Sequence, residues 1–305
     1  MWLETPVFAQ DLENFCGAAF IPWEKLRRKT IFVTGATGLI GYTLVSGLLY
    51  ASRKRGLDIK VLALVRSLPK AQEKYAAQLA DGNDLQFVVG SVEQLPPIAG
   101  PIDYIVHGAS QTASRAFVEH PVETINTAVN GTQNILELAR QKQVQGMVYL
   151  SSMEVYGQVR EPRLLAETDL GDLDSMQLRS SYPQGKRMSE TLCAAYAAEY
   201  GVPVAAARLA QTFGAGVDAA DNRVFAQFLR SARAGEDIVL LTKGASTRMY
   251  AYTMDAATAL LTLLLKGEKG RAYNVANKET YSSVRQMAEL VAQEFSTTAV
   301  PVSVR

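Results

Sequence analysis

The chain has little of what several chemistries require. It holds two cysteines, Cys16 and Cys193, and two histidines, His107 and His120, in 305 residues. Neither pair has the spacing of a ligand set, so neither a structural zinc site nor a disulfide scaffold is expected, and no metal. No run of about 18 apolar residues occurs, and no membrane span or membrane partner is expected. The start, MWLETPVFAQDLENF, carries acids and lacks a basic segment followed by an apolar one. It does not read as a signal peptide, and the expected compartment is the cytoplasm. Charge of one sign is missing too: 31 Lys and Arg against 30 Asp and Glu leave +1. No global field draws nucleic acid to such a surface, and none is expected as a partner. What is present is 48% hydrophobic and 20% charged, enough to bury a core in one large domain or two small ones.

Residues 1–26 read as a mixed, aperiodic extension draped on a domain. From Lys29 the pattern sharpens. Ile31-Phe32-Val33 is a short apolar run of buried-strand type, followed by the glycine-rich TGATGLIG. Leu39, Ile40, Leu44, Val45, Leu48 and Leu49 then recur at helical spacing. Further apolar runs lie at Val61–Val65, Leu85–Val89, Tyr104–Val106, Met147–Leu150 and Val202–Ala207, with helical stretches between them, notably 121–142 and 182–200. Strands alternating with helices imply parallel pairing with both faces covered, hence an α/β fold with a doubly wound parallel sheet. Residues 157–181 and 211–222 are polar and read as loops. They follow strand-like runs, at the carboxyl edge where open parallel sheets bind ligands.

Thr34-Gly35-Ala36-Thr37-Gly38-Leu39-Ile40-Gly41 joins a strand to a helix. Gly35 permits a tight turn, Gly38 lets backbone approach a pyrophosphate, and Gly41 lets the helix pack closely. The helix start offers N–H groups and a partial positive charge to the phosphates. With the strand before and the helix after, this is the dinucleotide-binding fingerprint. A ribose-binding acid is expected about 20 residues on, at the end of the second strand. None stands there: Asp58 is at the wrong end, and Arg66 follows the strand. Arg66 either faces a 2′-phosphate, which favours NADP over NAD, or is solvated and stacks on adenine.

Tyr-x-x-x-Lys occurs twice. Tyr50/Lys54 sits on the helix after the glycine loop, far from any sheet-edge loop, and is set aside. Tyr182-Pro-Gln-Gly-Lys186 begins a helix just after the long polar loop, and the two side chains share a face. A phenol is a poor base at neutral pH. Lys186 and an oxidised nicotinamide would favour phenolate, a lowering of roughly three pH units that takes about 4 kcal/mol. The phenolate can then accept a proton from a sugar hydroxyl as hydride leaves. Ser151-Ser152-Met153-Glu154 follows the run Met147–Leu150. Ser152 can hydrogen-bond the same hydroxyl, and Glu154 can serve as a second acid or base.

Together these residues resemble the extended short-chain dehydrogenase/reductase family, in its nucleotide-sugar epimerase/dehydratase branch, from about Lys29 to Phe295. The glycine loop matches TGxxGxxG, and His107-Gly-Ala-Ser-Gln-Thr112 is similar to the loop after the family's fourth strand. Asn130-Gly131-Thr132 matches NxxGT, and Ser152 with Tyr182 and Lys186 matches the catalytic triad. Arg208-Leu-Ala-Gln211-Thr-Phe-Gly214 looks like RxxNxYG, with Gln211 for the usual Asn and Ala215 for the following Pro. The resemblance implies a Rossmann domain over 27–210 and a smaller C-terminal substrate domain over 211–305, with about 246–266 returning to the core. It implies NAD held by Gly35, Thr37, Gly38, Leu39, Ile40 and Gly41, with Arg66, Ser91 and Val92 beyond. His107, Gly108 and Ala109 would line the cofactor together with Tyr182 and Lys186. Acid–base work falls to the tyrosine, so neither histidine is expected to titrate in it. Gln111, Gln211, Arg223 and Arg248 would bind a nucleotide-diphosphate sugar, Arg248 through charge-assisted bonds to the diphosphate. Asp255 reads as a helix cap. Helices 121–142 and 182–200 resemble the pair through which the family forms homodimers.

Within the family, dehydratases usually carry Asp-Glu where Met153-Glu154 stands, and a thioether cannot protonate a leaving hydroxyl. Glu154 with Gly-Lys-Arg at 185–187 leans instead toward uronic acid decarboxylases or epimerases. Such decarboxylases also carry an arginine after the turn where Gly216 stands, and another in a segment past residue 305. Two other functions stay open: an NADPH-dependent ketoreductase of a 4-keto sugar or other carbonyl, and a non-catalytic cofactor-binding scaffold.

Overall fold

A computed structural model describes residues 5–159, 163–296 and 301–304. Among the described residues twelve strands run in chain order: β1 Thr30–Thr34, β2 Lys60–Val65, β3 Leu85–Val89, β4 Tyr104–His107, β5 Gly146–Ser152, β6 Val204–Leu209, β7 Gln211–Phe213, β8 Ile238–Leu240, β9 Thr247–Tyr252, β10 Ala272–Val275, β11 Asn277–Ser283 and β12 Val302–Val304. The α-helices are α1 Pro6–Gly17, α2 Leu39–Arg55, α3 Leu68–Lys74, α4 Ala76–Ala80, α5 Ala116–Glu119, α6 Pro121–Lys142, α7 Ser181–Glu199, α8 Val224–Ala234, α9 Thr253–Lys266 and α10 Val284–Phe295. The chain divides into two units. The first runs to Leu209 and resumes over Thr253–Val275; the second is Ala210–Tyr252 with the residues from Ala276 on.

The first unit is built on a seven-stranded sheet in the order β10-β6-β5-β4-β1-β2-β3, parallel throughout. The central strands read as continuous apolar runs because both faces are covered; Ile31, Phe32, Val33, Ile105 and Val148 are fully buried. One face packs on α6 and α7 through Ile135, Leu136, Met147, Tyr149 and Val204. The order runs outward in opposite directions from β1 and β4. This is the doubly wound Rossmann arrangement, and its switch point lies where the loops after those two strands meet. Among the described residues no helix is long and apolar enough to cross a membrane.

The N-terminal segment corrects the reading of an aperiodic extension. Residues 6–17 form a helix whose buried Phe8, Leu12, Phe15 and Cys16 stand at helical spacing. Thr5 caps it, its Oγ1 accepting from the Phe8 N–H. Phe15 lies over Gly47 of α2, where an added Cβ would come within 2.8 Å of the ring, and Phe8 stacks on Tyr42. This helix is part of the core.

In the second unit β9 pairs antiparallel with β11 and parallel with β7, and β8 pairs parallel with β12. Residues 211–213, read as loop, are therefore strand; the run is short and polar, and only pairing with β9 makes it regular. The same pairing holds 247–252 in the second unit, so the returning segment runs over 253–275 rather than 246–266. Helices α8 and α10 close the unit over Phe225, Phe228, Tyr250 and Met287. A reciprocal cap between Ser283 and Gln286 starts α10. Asp255 sits in the first turn of α9, where its charge suits the helix dipole, rather than before it as a cap.

Candidate active site

The glycine loop turns out of β1 at Gly35, which has φ +69°. A Cβ there would stand 2.6 Å from the Gly108 carbonyl group, so the loops after β1 and β4 touch only because Gly35 has no side chain. Gly41 is equally constrained: a Cβ would lie 2.2 Å from the Gly35 carbonyl oxygen. Gly38 is the N-cap of α2 and supplies no side-chain cap. Thr37 and Gly38 are exposed, while Leu39, Ile40 and Gly41 are half-buried. A bare, uncapped helix start behind a tight glycine turn is the cradle a dinucleotide pyrophosphate needs, and these residues fit NAD.

The other expected cofactor residues divide between surface and core. Arg66 is exposed at the end of β2, and its charge helps hold the Glu93 carboxyl low against burial. Ser91 Oγ accepts from the Gln94 N–H. Val92 is core, packed against Gly131 of α6. The His107 side chain is sealed: its Nδ1 meets Thr34 Oγ1 at 2.7 Å and its Nε2 meets Thr132 Oγ1 at 3.1 Å. Burial, and then the charge of Lys186, push its pKa down to about 3, so it is neutral at any working pH. Only its backbone and those of Gly108 and Ala109 are left to line the cofactor. The Ala109 N–H is already given to Thr34 Oγ1.

The residues expected to transfer protons come together at the carboxyl edge. Ser152 ends β5 and caps the following 3₁₀ turn, accepting the Glu154 N–H at 3.2 Å. Tyr182 lies in the first turn of α7, buried and stacked on Phe117 at 4.3 Å with planes 7° apart. Burial pushes the Tyr182 phenol up to about 12; a Ser152 hydrogen bond opposes this, Glu154 adds to it, and Arg179 opposes it. Lys186 Nζ donates to the Leu150 carbonyl at 2.6 Å and lies 5.7 Å from the Tyr182 ring centroid. Burial lowers Lys186 to about 8, while Glu190 one turn on draws it upward. That carboxylate also accepts from Ser151 Oγ at 2.5 Å and pairs with Arg208 at 2.7 Å.

Three of these participants were missed by the sequence. Arg179 pairs with Glu154 at 2.8 Å and sits 4.7 Å over the Phe117 ring. Glu154 is thus not alone. Phe117 and Glu190 complete the surroundings of Tyr182 and Lys186. The only available signals were the positions of Arg179, three residues before Tyr182, and of Glu190, four after Lys186. Beneath them the described segments 155–159 and 163–172 are pinned through their backbone. Arg187 donates to the Val155 and Gly171 carbonyls, Arg208 to that of Glu167, and Asn274 to that of Leu165.

The expected substrate residues are less uniform. Gln111 is half-buried in the loop after β4, its Oε1 accepting from the Thr112 N–H. In the second unit, Gln211 Oε1 is buried and has no partner among the described residues. Arg248 is exposed on β9. Arg223 is committed internally, to Asp221 at 2.5 Å and to the Thr212 carbonyl at 2.9 Å.

The chain is 28% identical over 266 residues to UDP-glucuronic acid decarboxylase 1 of Xenopus tropicalis, covering 87% of this chain and 60% of that one. It is 29% identical to UDP-glucuronic acid decarboxylase 6 of Arabidopsis thaliana, covering 86% of this chain and 73% of that one. The fold matches the UDP-N-acetylglucosamine 4-epimerase of Methanobrevibacter ruminantium with a TM-score of 0.75 at 19% identity, over 92% of this chain and 86% of that one. The model of the NAD dependent epimerase/dehydratase family matches residues 31–276. With the glycine cradle, the buried Tyr182/Lys186 pair and Ser152 beside them, the chain belongs to that NAD-dependent family.

Proposed function

We propose that the protein oxidises a nucleotide-diphosphate sugar at C4, with decarboxylation of a uronic acid as the outcome. One observation carries the reading: Tyr182 and Ser152 meet at the sheet edge with Glu154, and Met153 stands where a dehydratase needs an acid. The similarity to relatives named UDP-glucuronic acid decarboxylases supports it.

Bound NAD would supply a recycled hydride acceptor at C4, so no external oxidant would be consumed. Gly35 to Gly41 would hold its pyrophosphate. Tyr182 takes the proton of the C4 hydroxyl while Ser152 hydrogen-bonds the same oxygen. With burial holding the phenol near 12, phenolate at neutral pH requires about 7 kcal/mol from positive charge around it. Lys186 and Arg179 provide part of this. A carboxylate on C5 stands β to the ketone so formed. The C5–C6 bond breaks, carbon dioxide leaves, and the electron pair passes into a C4–C5 enolate that takes up a proton at C5. Tyr182 finally returns its proton to O4. By resemblance, Gln211 and Arg248 are the proposed contacts to the nucleotide diphosphate.

Incubation with a panel of UDP-, dTDP-, GDP- and CDP-sugars followed by mass spectrometry tests this. Loss of carbon dioxide from a nucleotide uronate is the expected result. Loss of water, an inverted centre at constant mass, or net consumption of NADPH would each replace it with another reaction. We also propose a homodimer through α6 and α7, whose Val122, Ile125 and Met188 are exposed. A monomer mass in sedimentation equilibrium would refute that part.

A further inference from the structure

Ser151 stands between two parts of the site and belongs to neither. Strand β5 runs past its neighbour β4. Pairing with β4 stops at Tyr149, opposite His107, and only β6 follows the strand through Leu150, Ser151 and Ser152. Those last residues matter to the chemistry. The Leu150 carbonyl takes the Lys186 ammonium, and Ser152 presents its hydroxyl beside Tyr182. A strand end with one neighbour is prone to fray, so something must hold it for both contacts to keep their spacing.

What holds it is a buried carboxylate. The Ser151 hydroxyl, on a residue 4% exposed, donates to Glu190 Oε1 at 2.5 Å. That is the length of a charge-assisted bond from a hydroxyl to a carboxylate. Glu190 cannot follow a loose strand, because both its oxygens also accept from Arg208: Oε1 from Nε at 3.0 Å and Oε2 from Nη2 at 2.7 Å. Arg208 faces Ser151 across the β5–β6 ladder, and its Nη1 donates to the Glu167 carbonyl at 2.7 Å and the Tyr156 hydroxyl at 3.1 Å. Glu190 lies one turn after Lys186 on α7, so Ser151 ties the strand to the helix that carries Tyr182 and Lys186. With both oxygens engaged and the side chain 13% exposed, Glu190 serves as an anchor rather than as an acid or base.

We propose that Ser151, anchored on Glu190, is a positioning residue for proton transfer: its bond fixes the strand end so that the Leu150 carbonyl holds Lys186 while the Ser152 hydroxyl meets the substrate oxygen. The proposal rests on the roles of Tyr182, Lys186 and Ser152 given above and adds what sets their spacing. The Ser151 hydroxyl is itself spent on Glu190, so it acts only through the residues on either side of it.

The test compares Ser151→Ala with Ser52→Ala in the NAD-loaded full chain. Ser52→Ala removes an equally buried hydroxyl on α2, where it accepts from the Ile59 N–H, and so matches the loss of one internal hydrogen bond. The first readout needs no substrate. Ser151→Ala should quicken hydrogen exchange of the Glu154 amide, which is given to Ser152 Oγ, roughly tenfold, the scale of one hydrogen bond, and leave β1 and β4 as they are. The second is turnover of UDP-glucuronate: kcat should fall roughly 10–100-fold, the cost of a misplacement of about 1 Å, with KM unchanged. Ser52→Ala should change neither readout. Unchanged exchange at Glu154, an unchanged kcat, or equal losses in the two variants would overturn the role of Ser151 and leave the nucleotide-sugar reading standing. A wild type that does not act on UDP-glucuronate would overturn the substrate reading instead, and the exchange at Glu154 would then decide the role of Ser151 by itself.

Discussion

The two Tyr-x-x-x-Lys pairs have almost the same internal geometry. Lys54 Nζ lies 5.8 Å from the Tyr50 ring centroid, and Lys186 Nζ lies 5.7 Å from that of Tyr182. Spacing on a helix sets that distance in both places. Their surroundings differ completely. Tyr50 and Lys54 share the Glu13 carboxylate across the seam between α1 and α2, in water. Glu13 raises both groups above their ordinary pKa, keeping the phenol a phenol. Tyr182 and Lys186 are buried, with Ser152, Glu154 and Arg179 around the phenol and Glu190 behind the ammonium. The motif supplies a geometry; the neighbours decide whether it is a site.

The contrast is broken most sharply by removing the two hydroxyls. Tyr182→Phe should lower turnover roughly 10²–10⁴-fold, the worth of a positioned acid–base group, while NAD binding persists. Tyr50→Phe should leave turnover where it was; a comparable loss from Tyr50→Phe would erase the distinction. Next in size is the packing beneath the outer pair. Phe15→Ala, measured by denaturant unfolding, should cost about 3–5 kcal/mol because the ring fills the notch at Gly47.

Smaller still is the effect of Lys186 on stability. Below about pH 8 folded and unfolded chains both carry its proton, and the burial penalty is complete. Between there and about pH 10.5 the unfolded chain keeps a proton the folded one has shed, and the penalty fades. Lys186→Met should therefore stabilise the fold by about 1–3 kcal/mol at neutral pH, the gain vanishing as the pH rises through that window. A gain that grows with pH would contradict the burial of the ammonium. Last, Glu13→Ala should leave the thermal midpoint unchanged, since an exposed pair contributes little.

The sequence was most legible where a residue's reason is local. Gly35 and Gly41 are needed by a turn and a helix within a few positions of themselves, and the strand and helix on either side are visible in the same stretch. Tyr182 and Lys186 were legible because four residues make one helix face. Arg179 was not, because its meaning comes from Glu154 and Phe117, 25 and 62 positions away in the chain. The helix over 6–17 was missed for a different reason. Its apolar residues at 8, 12, 15 and 16 are helically spaced, yet polar neighbours at 10, 11, 13 and 14 make the stretch look mixed. The three residues of β7 carry no pattern long enough to register.

The fastening of Val155, Leu165, Glu167 and Gly171 reaches further than the site itself. Arg187, Arg208 and Asn274 hold these four residues by their backbone carbonyls, which every amino acid possesses. At Val155, Leu165 and Glu167 that hold does not depend on the side chain borne there. Exchanging those three side chains would leave in place the donors on Arg187, Arg208 and Asn274 that tie the stretch to the sheet and to the helix carrying Tyr182.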